Sequence, residues 1–325
     1  MFDLTRNAAR ILAAAAASLL LISCGGSNDS PAPVPLFQTT VVVGASGTDN
    51  GNRCGFAADP LCFPTPAYAG TSTAANGPLF DEILAARYGN PLVASSKGGF
   101  NYAIGGATTG VIPTDTVPQK IPHMQLQVES FVQRVGFQAN PQHLYIVDGT
   151  TFGNNIRRVA ELLAANPAAA ATLPTAAVTA AAGDIFNTVL RLYAAGARHI
   201  VLTNATNLGL HPAVAAGGAQ AVQLATGMSA GFNGALATQV VPGLRAGSPG
   251  LNLYFLDFGA LSNDMAANPA NYGFTNTTAP CYPFFSAPAA PICANPSQYM
   301  FWDELHPSAA VHAVGAQRVI AAIGF

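Results

Sequence analysis

The sequence has few charged side chains, and those present do not gather into a patch of one sign. Asp, Glu, Lys and Arg together make up 9% of the 325 residues, and the formal net charge is -2. Soluble domains usually carry about 25% charged residues. A nucleic-acid-binding surface needs clustered Lys and Arg to neutralise phosphates, so the lack of any basic cluster argues against a nucleic-acid partner.

Beyond its N-terminal segment, the chain also lacks an apolar run long enough to span a bilayer, which needs about 20 residues. The longest uncharged, alanine-rich stretch is residues 162–183, and Pro167 and Pro174 interrupt it. It therefore predicts a pair of helices. No internal repeat is visible, and neither the cysteine spacing nor the nearby histidines fit a zinc site. No metal or organic cofactor is expected.

The N-terminal segment has the pattern of a bacterial export signal. Arg6 and Arg10 supply positive charge, and a short apolar run follows over residues 11–22. A small residue then precedes Cys24, which resembles a lipobox. This predicts a lipoprotein signal peptide over residues 1–23 and lipidation of Cys24. Ordinary secretory cleavage and an uncleaved anchor are the alternatives.

Residues 24–36 have the composition of a tether, because glycine and serine make a chain flexible and proline makes it extended. Such a tether would hold a folded domain away from a lipid-anchored Cys24. Residue Gly25 stands where lipoproteins retained at the inner membrane often carry Asp. The expected location is therefore the outer membrane or cell surface, with a periplasmic or secreted protein as the alternatives.

The cysteines other than Cys24 form two close pairs, Cys54 with Cys62 and Cys281 with Cys293. In an oxidising compartment an even number of cysteines indicates disulfides, although four cysteines allow three pairings. We expect the two local pairings, each closing a short loop and stabilising it by roughly 2.5–3 kcal/mol.

Strand-like runs alternate with helical patterns along residues 37–325. Strands are expected at 37–43, 100–106, 143–147, 200–204 and 251–257. Helices are expected at 79–88, 123–135, 155–165, 176–195, 219–241 and 308–323. The apolar positions of helix 123–135 are Leu126, Val128, Phe131 and Val132. This alternation predicts a parallel sheet with helices on both faces, whose chemistry gathers at the carboxyl ends of the strands.

Two segments at opposite ends of the chain carry residues suited to nucleophilic catalysis. Ser46 lies in a glycine-flanked turn directly after the first predicted strand. Asp303 lies three residues before His306, from where a carboxylate can orient and charge-stabilise an imidazole. An imidazole held in this way can accept the proton of a serine hydroxyl. The two segments together predict a serine esterase.

Four blocks of the sequence, taken together, match a known arrangement of motifs. They are Gly-Ala-Ser-Gly-Thr-Asp-Asn-Gly-Asn at 44–52, Asn-Tyr-Ala-Ile-Gly-Gly-Ala-Thr at 101–108, Gly-Asn-Asn at 153–155 and Asp-Glu-Leu-His-Pro-Ser at 303–308. They resemble the blocks of the SGNH hydrolases of the GDSL lipase/esterase family, and the likeness covers nearly all of residues 37–325. The resemblance implies a three-layer α/β/α fold with a mostly parallel five-stranded sheet, also described as flavodoxin-like.

The resemblance also implies roles for individual residues. Ser46 would be the nucleophile, His306 the general base and then acid, and Asp303 its orienting residue. The backbone amides of Ser46 and Gly106 and the side-chain amide of Asn154 would form the oxyanion hole. Because the third block is stretched relative to the family pattern, Asn155 is the alternative to Asn154.

Two residues depart from the family pattern at the nucleophile turn. Ala45 stands where the family has Asp, and Gly47 stands where it has Leu. A hydrogen bond that steadies the turn is therefore expected to be missing. Competing candidates are weaker: His211 has no carboxylate three residues upstream, and His312 is expected to pack or face solvent. Glu304 and Asp148 are the alternative acids.

The predicted reaction is hydrolysis of carboxylic esters through a serine acyl-enzyme. The aromatic segments at 284–285 and 299–302 favour acyl or lipid substrates. Acyl transfer to another alcohol is one alternative, and a catalytically decayed surface lipoprotein that binds lipid or glycan is another. The expected partners are an ester or lipid substrate and a membrane, contacted through the N-terminal anchor. The protein is expected to be a monomer.

Overall fold

The computed structural model describes residues 36–55 and 75–324, and in these residues four parallel strands form a central sheet. The strands follow one another across the sheet in chain order. They are β1 (Thr40–Val43), β2 (Leu144–Val147), β3 (His199–Thr203) and β4 (Asn252–Leu256). Every residue of β1 and β2 is buried, as expected for strands with helices on both faces.

The connections between these strands are mainly helical. The α-helices of the described residues are α1 (Phe80–Arg87), α2 (Met124–Arg134), α3 (Phe152–Ala165), α4 (Leu173–Ala195), α5 (Pro212–Ala216), α6 (Gly218–Ala235), α7 (Val241–Gly247), α8 (Phe258–Ala267) and α9 (Ala309–Ile323). A π-helical turn, Leu236–Val240, joins α6 to α7. Each of the six helices expected from the sequence has a counterpart here.

The helices pack on the two faces of the sheet because alternate strand residues point in opposite directions. Val41, Tyr145 and Ile200 share one buried cluster with residues of α2, α3, α4 and α6. Val42 and Ile146 share the other with residues of α1, α8 and α9. The predicted α/β fold, a parallel sheet between two helical layers, is confirmed.

The predicted count of five strands is not confirmed, because segment 100–106 does not form a regular strand. It runs parallel to β1, where Tyr102 N donates to Val42 O (2.8 Å) and Ile104 N donates to Gly44 O (3.2 Å). Ala103 N instead donates to the side chain of Asn101 at 2.9 Å. The segment is joined to its neighbours by isolated bridges from Asn101 to Val42 and Ala94, and it is therefore not a strand of the main ladder.

A second sheet of two short parallel strands, β5 (Asn276–Pro280) and β6 (Tyr299–Phe301), lies outside the main ladder. The disulfide between Cys281 and Cys293 closes the loop between them, which confirms that predicted pairing. Cys54 is also disulfide-bonded, but its predicted partner Cys62 lies outside the described residues.

The predicted signal peptide, Cys24 and the tether up to residue 35 also lie outside the described residues. Within the described ranges, no helix is both long and apolar enough to cross a membrane. In the same ranges, no three His, Cys, Asp or Glu side chains are grouped so that they could hold a metal ion.

Candidate active site

The structure brings the candidate catalytic residues together at the carboxyl end of the sheet. Ser46 follows β1, Gly106 follows the segment beside β1, and Asn154 lies in the first turn of α3 after β2. His306 lies between β6 and α9. Loops at this edge of a parallel sheet are where α/β proteins place their ligand sites.

Ser46, His306 and Asp303 form a continuous hydrogen-bonded chain. The distance from His306 Nε2 to Ser46 Oγ is 3.1 Å, and His306 Nδ1 lies 2.9 and 2.8 Å from the two Asp303 carboxylate oxygens. A carboxylate accepts hydrogen bonds, so this contact assigns the imidazole proton to Nδ1. Nε2 is then the atom able to accept the serine proton.

The loop that carries Asp303 and His306 is held largely by bonds within itself. Asp303 Oδ1 also accepts from the backbone amides of Leu305 (2.7 Å) and His306 (2.8 Å), and Asp303 is fully buried. Trp302 N donates to His306 O at 2.9 Å, and Ser308 N donates to Met300 O at 3.0 Å. The carboxylate therefore fixes both the imidazole and the backbone that bears it.

The nucleophile turn is held from outside by Gln127 of α2. Its side-chain amide accepts from Gly44 N (2.9 Å) and donates to Gly44 O (3.0 Å), and Gln127 is 1% exposed. Gln127 occupies a buried position, whereas Leu126, which the apolar pattern placed on the buried face, is 50% exposed. Thr48 N also donates to Ala45 O at 3.1 Å. The turn therefore has supports other than a side chain at position 45.

Asp148, at the end of β2, ties the nucleophile turn to the neighbouring strands. Its carboxylate accepts from the hydroxyls of Thr48 (3.1 Å), Thr150 (2.7 Å) and Thr203 (3.1 Å). Burial raises its pKa above the ordinary value. A Cβ at Gly44 would lie 2.3 Å from Thr48 Oγ1 and 2.8 Å from Asp148 Cβ, so this close packing requires glycine.

Gly106 lies in a loop whose conformation suits a glycine. Its φ is +87°, in the left-handed region that residues with a Cβ rarely adopt. Gly105 N, the neighbouring amide, donates to Asp49 Oδ2 at 2.7 Å, and the guanidinium of Arg53 donates to Gly105 O. Asp49 also accepts from Asn52 N at 2.6 Å. The first and second sequence blocks are therefore joined through Asp49 and Arg53.

Asn154 and Asn155, the two candidates from the third block, have different surroundings. Asn154 lines the cavity beside Ser46, and its Nδ2 donates one hydrogen to Ala107 O at 2.8 Å. Asn155 is buried, where it accepts from Thr109 N (3.0 Å) and donates to Thr109 Oγ1 (2.9 Å). Asn155 therefore fixes the loop after Gly106, while Asn154 retains a second Nδ2 hydrogen beside the cavity.

The alternative acids have other partners. The Asp148 carboxylate bonds the three threonine hydroxyls, as described above. The Glu304 carboxylate accepts from Phe285 N (3.1 Å), Ser286 N (2.8 Å) and Ser286 Oγ (2.5 Å). We call residues 281–293, closed by the disulfide, the flap. Glu304 thereby anchors the flap next to His306, whose ring lies 6.4 Å from that of Phe285.

A cavity of about 410 Å³ opens at Ser46, a size within the usual range for small-molecule sites. Ser46, Gly106, Asn154 and His306 all line it. So do two histidines for which the sequence suggested no catalytic role. His211 Nδ1 lies 2.9 Å from Leu305 O, and His312 Nδ1 accepts from Phe80 N at 3.3 Å.

Several residues that hold the site were not selected from the sequence. Gln127 was detectable only as a polar residue at helical spacing from Met124 and Phe131, which are buried. Asp49 lay within the first sequence block but was given no role. The bonds from Glu304 to the flap carry no sequence signal, because those residues are about twenty positions apart and joined by a turn-rich loop.

Comparisons with known proteins identify the family that this sequence resembles. The sequence model of the family described as GDSL-like Lipase/Acylhydrolase matches residues 41–319. A GDSL esterase/lipase of Arabidopsis thaliana is 34% identical over 138 residues, which are 39% of this chain and 38% of that protein. A second, from the same plant, is 34% identical over 122 residues, which are 37% of this chain and 35% of that protein. In these matches the chain spans less than two fifths of each relative's length.

Proposed function

The chain belongs to the GDSL-like lipase/acylhydrolase family, and we propose that it hydrolyses carboxylic esters through a covalent acyl-enzyme on Ser46. The observation that carries this proposal is the 3.1 Å contact between Ser46 Oγ and an imidazole whose other nitrogen bonds a buried carboxylate. A serine hydroxyl is a weak nucleophile until an adjacent base accepts its proton.

In the proposed reaction, Ser46 Oγ attacks the ester carbonyl as His306 Nε2 takes the hydroxyl proton. The tetrahedral intermediate collapses when that proton passes to the leaving alcohol. Water then enters, gives a proton to His306 and attacks the acyl-enzyme, which releases the acid and restores Ser46. Asp303 stabilises the imidazolium that forms in both halves of the cycle.

The developing oxyanion would be stabilised by three donors: the backbone amides of Ser46 and Gly106 and the remaining Nδ2 hydrogen of Asn154. Asn154 is favoured over Asn155, whose side chain is already bonded to Thr109 at 2.9 and 3.0 Å. Removing one oxyanion donor typically lowers kcat by about 10²–10³. Asn154→Ala should show a loss of this size, whereas Asn155→Asp should mainly lower the free energy of unfolding.

The direct test compares Ser46→Ala with Ser96→Ala in hydrolysis of p-nitrophenyl acetate. Ser96 is exposed, so its substitution controls for the loss of one surface hydroxyl. Ser46→Ala should abolish turnover above the uncatalysed rate, and Ser96→Ala should retain wild-type turnover. Full activity in Ser46→Ala would refute the proposal.

The other two functions considered from the sequence make different predictions in the same assay. An acyltransferase would yield a new ester when an acceptor alcohol is added, at the expense of the free acid. A decayed binding protein would hydrolyse nothing. The structure of the turn around Ser46 argues against loss of catalytic activity. Although Ala45 replaces the usual Asp, the turn keeps its hydrogen bonds from Gln127 to Gly44 and from Thr48 N to Ala45 O.

We further propose that the protein is exported and anchored through a lipid on Cys24, as the lipobox-like segment indicates. Expression in a Gram-negative host with labelled palmitate tests this. The wild-type chain should incorporate label and fractionate with the outer membrane. Cys24→Ser should do neither, and labelling of Cys24→Ser would contradict the assignment.

A further inference from the structure

The cavity at Ser46 has two chemically different ends. The polar end carries the charged side chains of Asp49, Arg53 and Arg157 beside Gly106 and Asn154. The part lined by residues of α8, α9 and β6 is called the apolar end here. None of the described residues that line the apolar end is Asp, Glu, Lys or Arg.

The walls of the apolar end are single helix faces. In α8 the lining residues are Phe258, Leu261, Ser262 and Met265, at the spacing that puts side chains on one side of a helix. In α9 they include Val311 and Gly315, one turn apart. Two apolar helix faces thus enclose a space in which the most favourable occupant is another apolar group.

The deep wall of the apolar end is buried and closely packed. Met265 and Phe301 are each 1% exposed and Met300 is 3% exposed, and all three share one hydrophobic cluster with Leu261 and Val311. A group that enters here therefore exchanges water for hydrocarbon contacts along its length.

The two imidazoles at this end are uncharged over the ordinary pH range. Burial lowers the pKa of His211 to about 4 and that of His312 to about 3. Each ring is also fixed by a backbone partner, Leu305 O at 2.9 Å for His211 and Phe80 N at 3.3 Å for His312. Neither ring offers a charge to which a carboxylate or phosphate could bind.

We propose that the apolar end binds the hydrocarbon chain of the acyl group, so that the enzyme prefers esters whose straight hydrocarbon chain lies on the acyl side. This inference rests on the proposed function. In that mechanism the acyl group stays on Ser46 while the alcohol leaves and water replaces it. A recess with a buried wall suits the group that stays, and the end with Arg53 and Arg157 suits the group that exchanges with water.

Gly315 sets the depth of the apolar end. A Cβ at this position would lie 3.3 Å from Phe258 Cζ, and the next two nearest side-chain atoms, at 3.7 and 3.9 Å, belong to the same ring. A larger side chain at position 315 therefore has to push against the Phe258 ring, which also lines the cavity, or extend into the cavity itself. Either response shortens the space left for a chain.

The test uses two isomeric esters, methyl nonanoate and octyl acetate, which place a similar hydrocarbon chain on opposite sides of the ester. Each buried methylene contributes about fourfold to kcat/KM, so wild type should hydrolyse methyl nonanoate at least about tenfold faster than octyl acetate. In Gly315→Leu this preference should fall by at least about tenfold. Gly227→Leu is the matched control. Gly227 is exposed to solvent in the middle of α6, and a Cβ at this position would meet none of the neighbouring atoms within 4 Å.

The outcomes separate the two proposals. If wild type preferred octyl acetate, the apolar end would bind the chain of the alcohol, and the assignment to the acyl chain would be wrong. The proposed ester hydrolysis would still stand if turnover of p-nitrophenyl acetate depended on Ser46. Equal loss of preference in Gly315→Leu and Gly227→Leu would also overturn the assignment to the acyl chain. If Gly315→Leu does not fold, as judged by circular dichroism, Val311→Phe narrows the same space, and an unchanged preference in that variant counts against the proposal. Failure of all ester turnover would overturn both.

Discussion

The nucleophile turn and the histidine loop are supported in different ways. The turn around Ser46 depends on distant residues: Gln127 of α2 bonds both backbone groups of Gly44, and Asp148, directly after β2, bonds Thr48. The loop around His306 is held mainly by its own Asp303, which bonds the imidazole and two backbone amides, and it has fewer distant contacts, such as that of His211 with Leu305 O. Local support leaves a compact sequence signature, whereas distant support does not.

Breaking the local support should have the largest effect. In Asp303→Asn the side-chain amide would donate where the carboxylate accepts, so the imidazole would hold its proton on Nε2 and could not take the serine proton. We expect kcat to fall by about 10³–10⁴, measured with p-nitrophenyl acetate. Asp264→Asn, at an exposed carboxylate of α8, is the control and should retain activity. A loss below tenfold in Asp303→Asn would mean that this carboxylate does not orient the base.

Breaking the distant support should have the next largest effect. Gln127→Met keeps the side-chain length but leaves Gly44 N and O unsatisfied, which costs about 1–3 kcal/mol for each buried group. We expect the free energy of unfolding to fall accordingly and kcat to fall about tenfold to hundredfold, because the nucleophile loses its position.

The control for this variant is Gln133→Met, since Gln133 is exposed on the same helix. Chemical denaturation and initial rates should both match wild type in the control. If Gln127→Met lost stability but kept full kcat, Gln127 would be a structural residue without a positioning role.

Releasing the flap from the histidine loop should have a smaller effect than either of these changes. Glu304 links the two segments through its bonds to Phe285 and Ser286. Glu304→Ala removes the acceptor of two amides and a hydroxyl, so Phe285 should move away from the cavity. We expect KM for a medium-chain ester to rise roughly threefold to tenfold with kcat little changed. Glu161→Ala, at an exposed position of α3, serves as the control. A fall in kcat with unchanged KM would instead place Glu304 in support of the catalytic loop.

The smallest expected effect concerns Asp184 of α4, which supports the loop after Gly106. It accepts from Thr109 Oγ1 (2.9 Å) and Gln125 Nε2 (2.9 Å), and burial raises its pKa to about 6. Between these two pKa values, about 3.8 in the unfolded chain and about 6 in the folded chain, the Asp184 carboxyl is protonated in the folded chain and ionised in the unfolded chain. The protonated Asp184 carboxyl therefore makes its full contribution to the free energy of unfolding below pH 3.8, and this contribution is lost as the pH rises through about 6.

The melting temperature of wild type relative to Asp184→Asn should accordingly decline from pH 4 to pH 7 and then level off. Differential scanning fluorimetry across this range measures the difference. A difference that stayed constant or increased with pH would show that the folded-state pKa of Asp184 is not raised.

The sequence predicted the fold because each layer has its own local signal. The strand run at 37–43 and the spaced apolar residues of helix 123–135 lie where the structure has β1 and α2. The segment at 100–106 was predicted as one of five strands, but it joins its neighbours only through isolated bridges at Asn101. Local composition does not report how far such pairing extends along a segment.

The candidate site also contains residues that local sequence signals predict and residues that only the fold reveals. Ser46, Asp303 and His306 were found from short spacings and block resemblance, and the structure brings them within hydrogen-bonding distance. Gln127 and Asp148 act on the nucleophile turn from other elements, and their partners lie 83 and 100 positions away in the chain. Only the folded arrangement of α2 and β2 reveals such contacts. The α8 wall of the cavity was not predicted either, because residues 258–267 were not recognised as a helix.

The most direct test of the account is covalent labelling of the wild-type protein with a fluorophosphonate, followed by peptide mass spectrometry. The account predicts one adduct per chain, located on Ser46, and its loss in both Ser46→Ala and His306→Ala. An adduct on a different residue, or ester hydrolysis that continues in a chain that Ser46 labelling has saturated, would contradict it.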